Sequence, residues 1–135
     1  MDKETKENFA KCRLQRAKET IESAKLLYNS KDYIGANNRA YYAIFYAIRA
    51  ILALEEVDFK RHKDVIAYFK KNYIKTEIFP RILGTKISQA QVMREDSDYD
   101  DNYEPSSEKT QQQLETAKDV IQKVEEYIES HIWNK

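Results

Sequence analysis

Arg39, Tyr42, Tyr46 and Arg49 stand three or four residues apart within the stretch Asp32–Leu54, DYIGANNRAYYAIFYAIRAILAL. That spacing puts all four on one stripe of a helix, where two guanidiniums could clamp a phosphate with phenol hydroxyls at its edges. A guanidinium cannot be neutralised in a protein, so an arginine set into an apolar helix must meet a carboxylate, a carbonyl, water or a phosphate. Arg39 is therefore the first residue to follow. Its structural alternative is an ion pair, with Asp98 the named partner, while the tyrosines serve as core or as dimer surface.

His62, between Arg61 and Lys63, is the other group suited to proton transfer, with an ordinary pKa of ~6.5. A histidine that opens a helix more commonly caps or packs. Lys60, Arg61, Lys63, Lys70 and Lys71 form a modest basic run, which most often is solvated surface. Ten tyrosines offer stacking surfaces for bases, although helical tyrosine stripes more often pack in a core or an interface. Cys12, His62 and His131 are too scattered to draw a zinc site among them. Asp96, Asp98 and Asp100 alternate as in a calcium loop, yet the sixth position holds Asp101 instead of glycine and the twelfth Ser107 instead of glutamate. No metal or cofactor is expected. The acidic segment reads as a solvated loop in which Asp98 and Tyr99 turn inward to hold Arg39 or Arg94.

The 135 residues suffice for one domain, taken as 1–135, with a core that needs no disulfide. Two glycines and two prolines, against 34% charged and 41% hydrophobic residues, leave few turn formers and predict long helices. The net charge of zero excludes a global basic field for holding nucleic acid, so any such contact must be local. The single cysteine, the absence of a long apolar run and the charged first residues lead to a cytoplasmic expectation without membrane contact.

Ala10, Leu14, Ala17, Ile21, Ala24 and Tyr28 recur at helical steps and predict a first helix over Glu4–Tyr28. Asp32 is a candidate N-cap for the second helix, whose broad apolar face marks it as the centre of the bundle. Beyond a connector at Glu55–Lys60, Val65, Ile66, Tyr68, Phe69 and Tyr73 predict a third helix. Ile78 to Met93 predict a fourth, broken or bent near Gly84. DSDYDDNYEP, from Asp96 to Pro105, reads as a loop, and Leu114 to Ile132 then hold a heptad-like spacing. The fold class is all-α, with about five helices in an antiparallel up-down bundle.

The run Asn38–Leu52, NRAYYAIFYAIRAIL, resembles the second helix of the small HEPN-domain proteins, where an arginine precedes paired tyrosines and an F-H-A element. Arg61, His62 and Lys63 resemble that family's T-H-K-type element. Arg94, Asp98 and Tyr99 resemble its R-x-x-A-D-Y turn before the last helix. The resemblance covers roughly residues 8 to 130. It implies a helical bundle, frequent homodimers, and frequent pairing with a small nucleotidyltransferase as toxin and antitoxin. It also implies, for many members, metal-independent endoribonuclease activity resting on an R-x(4-6)-H motif, with arginine stabilising phosphate charge and histidine moving protons at the ribose 2′-hydroxyl.

Neither histidine completes that motif. Upstream of His62 stand Glu55, Glu56 and Val57, upstream of His131 stand Val124, Glu125 and Glu126, and Tyr46 occupies the place of the F-H histidine. The function expected from sequence is accordingly a dimeric binding or regulatory module, a partner of a nucleotidyltransferase. The alternatives are a metal-independent ribonuclease toxin with a non-standard site built from Arg39, Tyr46 and His62, and a nucleotide-binding protein without cleavage. Arg39, Tyr42, Arg49 and Arg61 are the candidates for contacting phosphate, RNA or nucleotide. Arg39, Arg94, Asp98 and Tyr99 are the candidates for a structural polar network.

Overall fold

The computed structural model describes residues 2–133. They form five α-helices: α1 Lys3–Asn29, α2 Tyr33–Leu54, α3 His62–Phe69, α4 Arg81–Tyr99 and α5 Ser107–Trp133. A π-helical turn, Lys70–Ile74, extends α3. No strand occurs among the described residues, and none of their helices is long and apolar enough to cross a membrane.

Caps set the boundaries. α1 starts where the Asp2 carboxylate accepts the Thr5 amide at 2.8 Å, and it ends as Lys31 turns to a φ of 65°. Asp32 then accepts the Gly35 amide at 2.9 Å, opening α2 one residue later. Any side chain at Gly35 would crowd that cap, because a Cβ there would lie 2.6 Å from the Asp32 carboxylate. Ser106 does the same service for α5, its hydroxyl accepting from the Lys109 amide at 3.1 Å.

α2 touches each of the other four helices, and α1 most extensively. Its sequence explains why. Ala40, Ala43, Ala47 and Ala50 are fully buried in one cluster with Ala10, Ala17 and Ala24 of α1, small residues that suit the extensive α1–α2 contact. Ile44, Ile48, Ile51 and Leu52 fill the remaining volume against Val65, Phe69, Leu83, Ile87, Val120 and Val124, in one continuous cluster.

Two sequence expectations give way. Gly84 does not break α4; it lies where the helix crosses the π-helical turn, and a Cβ there would come 3.0 Å from Ile74 Cγ2. The glycine is a packing residue. The acidic loop is also shorter than its composition suggests, because Asp96, Ser97, Asp98 and Tyr99 belong to α4 and the irregular chain begins at Asp100. Tertiary contacts hold that last turn helical. Buried Ser97 meets Asn37 of α2, Nδ2 to Oγ at 3.4 Å, and Asp98 pairs with Arg94 one turn back at 3.0 Å.

Candidate functional site

Tyr42 is the hub of the polar surface that the bundle builds. The Arg39 guanidinium lies 5.0 Å from its ring centroid and that of Arg94 5.6 Å, while the His62 ring stands edge-on at 5.5 Å. Three elements converge here: α2 carries Arg39 and Tyr42, α3 begins with His62, and α4 sends Arg94 across from the other side. Arg94 donates to the Tyr42 hydroxyl at 3.3 Å and forms its ion pair with Asp98 through Nε. The electron-rich ring faces favour cations at these distances.

His62 packs against Phe45 with ring centroids 3.9 Å apart, and its Nδ1 lies 3.2 Å from the Tyr41 hydroxyl. Burial, and then the positive charges of Arg94 and Arg49, lower its pKa from the ordinary 6.5, so the neutral ring is favoured at pH 7. The Tyr41 phenol, itself buried, is pushed up to about 12 and stays protonated. When Nδ1–H donates to Tyr41 Oη, the Nε2 lone pair is left for a ligand. When the phenol donates instead, Nε2 carries the proton.

Arg39 is half-buried and donates to Asn38 Oδ1 at 2.9 and 3.1 Å; it has no carboxylate partner among the described residues. Asp98 instead serves Arg94 and the Asn38 amide. Of the two arginines expected to meet Asp98, Arg94 pairs with it, one helical turn away on α4, and Arg39 does not. Tyr99 is 74% exposed, its ring 5.8 Å from the Arg94 guanidinium.

Arg49 and Arg61 are engaged by carboxylates, and Tyr46 borders the hub. Arg49 pairs with Asp58 at 2.8 Å beside Arg13, whose Nη1 donates to the Arg49 carbonyl at 3.2 Å, so its charge is already answered. Arg61 turns out to Asp64 at 3.1 Å. Tyr46 packs 6.0 Å from Tyr42 and carries the Arg16 guanidinium of α1 over its ring, 4.6 Å from the centroid. Sequence reading did not single out Tyr41, Phe45, Arg16 or Asn38. The i, i+4 aromatic pair Tyr41–Phe45 was visible, yet that it packs on His62 depends on how α3 docks. Among the described residues, no three His, Cys, Asp or Glu side chains gather as a metal would require.

Arg39 and Arg94 beside one tyrosine, with a neutral imidazole at its edge, have the charge and the donors to meet an oxyanion such as a phosphate. Comparison with known proteins agrees with the bundle. The family profile described as "HEPN domain" matches residues 10–127. A Methanocaldococcus jannaschii protein provisionally named a toxin is 32% identical over 115 residues, which cover 85% of this chain and 78% of the relative. A Thermotoga maritima protein named UPF0332 protein is 30% identical over 115 residues, 85% of this chain and 87% of its own. A second M. jannaschii protein with a provisional toxin name is 34% identical over 83 residues, 62% of each chain.

Proposed function

The chain belongs to the HEPN domain family, and from that premise we propose that it is the toxin-class member of a toxin–antitoxin-type pair that binds RNA through the Tyr42 site. The observation that carries the reading is the convergence of Arg39, Arg94 and His62 on Tyr42, because Arg39 there has a charge that no carboxylate among the described residues answers. A phosphate would answer it. The relatives' toxin names support the class. In this proposal the chain acts as a homodimer and is held in check by a nucleotidyltransferase partner.

The test is binding of single-stranded RNA of mixed sequence, followed by fluorescence anisotropy at two salt concentrations. Wild type should bind, and Arg39→Ala should weaken binding about tenfold or more while remaining folded; equal affinity of the two proteins would overturn the site. The partner arm is independent. A neighbouring reading frame with a G-S-x(n)-D-x-D pattern should encode a protein that co-purifies with this one, and absence of both removes that part.

The environment of His62 favours a second reading, a metal-independent endoribonuclease. A neutral imidazole with Nδ1–H held by Tyr41 can accept a proton at Nε2 from a ribose 2′-hydroxyl, while Arg94 and Arg39 offset charge on the phosphate. Cleavage of RNA in EDTA by wild type, lost in His62→Gln, is the result this reading requires.

A further inference from the structure

On the far side of α4 from Arg94, a cleft of about 350 Å³ opens between the π-helical turn and the first half of the helix. Lys70, Lys75 and Arg81 supply positive charge to it, and Thr85 and Ser88 supply hydroxyls. Among the described residues no carboxylate lines it. Lys70 is half-buried, and its ammonium donates to Ser88 Oγ instead of to an acid. Burial lowers its pKa from the ordinary 10.5, and no ion pair with a carboxylate among the described residues offsets that desolvation. Lys75 is exposed and has no carboxylate partner among the described residues. Arg81, at the rim, is paired with Glu77 at 3.0 Å.

The backbone beneath is irregular. The Lys75 amide donates to the Lys70 carbonyl at 2.8 Å, five residues back, and such π turns recur at functional positions. Donors reaching in from two elements and several directions suit a tetrahedral oxyanion better than a planar carboxylate, which one arginine could satisfy.

We propose that this cleft binds a phosphoryl group, with Lys70, Lys75 and Arg81 meeting its charge and Thr85 and Ser88 donating to its oxygens. The site is separate from the Tyr42 hub. Ser88 and Arg94 are six residues apart on α4, about 9 Å along the axis and on different faces. The phosphoryl group belongs to a small phosphorylated compound or to an RNA backbone, and both present the same oxygens.

The experiment is titration of the full chain with inorganic pyrophosphate, by calorimetry and by amide chemical shifts. Saturable binding that shifts amides around Lys70, Thr85 and Ser88 is expected, weakened at least tenfold in Lys70→Met and in the exposed double variant Lys75→Gln/Arg81→Gln. Lys71→Gln, outside the cleft, and Arg39→Ala, at the other site, should bind as wild type does. Should Lys70→Met fail a thermal melt, the exposed double variant decides. Absence of saturable binding, or unchanged binding in the folded variants, overturns the proposal. Competition by a single-stranded RNA without terminal phosphates assigns the oxygens to a nucleic-acid backbone, and its failure to compete assigns them to a small phosphorylated compound.

Discussion

Arg39 and Arg94 share a tyrosine but not an energetic role. Arg94 is 20% exposed and answers Asp98, so Arg94→Ala removes a cation that a partly shielded carboxylate depends on. After discounting for solvent screening, this variant should be less stable by about 1–2 kcal/mol. Arg39→Ala strands no carboxylate among the described residues and should stay within about 0.5 kcal/mol of wild type. Urea melts of both variants check the pair of values, and a large loss for Arg39→Ala would mean that its role is structural. His62 makes a prediction in pH. Its folded pKa lies below the unfolded 6.5, so between the two the unfolded chain binds more protons and stability rises with pH. The contribution is fully present above pH 6.5 and is lost as pH falls past the folded pKa. Melting temperatures of wild type should therefore drop more steeply than those of His62→Gln on acidification from pH 7 to 5. Parallel curves would contradict the assigned environment.

Among the elements, two glycines are fixed by what stands next to them, and each gives a prediction. Gly35→Ala places a methyl group against the Asp32 carboxylate, so the cap must open and α2 should lose about 0.5–2 kcal/mol. Gly84→Ala forces Ile74 to yield, and at about 1–3 kcal/mol it should cost more than the helix propensity of alanine returns. Chemical denaturation of the two variants tests both, and a more stable Gly84→Ala protein would show that the crossing of α4 over the π turn is loose. Capping and periodicity made α1, α2 and α5 legible in sequence. The reach of α4 was not. Acidic, loop-like composition at Asp96–Tyr99 is overruled by Ser97 meeting Asn37 and by Asp98 meeting Arg94, and one of those contacts spans sixty residues.

For the whole molecule, the core is a single cluster centred on α2, and Ile48 is fully buried within it. Ile48→Ala should cost about 2–5 kcal/mol through lost burial and the cavity left behind, measurable by equilibrium unfolding. Surface replacements such as Arg61→Ala, whose partner Asp64 lies three residues on in the first turn of α3, should cost at most ~1 kcal/mol. The contrast follows from where α2 lies. Because it touches every other helix, a defect there loosens the frame that holds Arg39, Tyr42, His62 and Arg94 together.

The sequence alone determined the helical class, the central place of α2, the cap at Asp32 and the family resemblance, since all of these rest on neighbours within a turn or on a local run of residue types. It also marked Arg39, Tyr42, His62 and Arg94 one by one. Only the tertiary structure decided that they meet, that Asp98 belongs to Arg94 while Arg39 has no acid partner among the described residues, and that Arg49 is taken by Asp58. Those outcomes depend on how α3 and α4 dock against α2. Docking is set by summed packing of the core, which no spacing along the chain encodes.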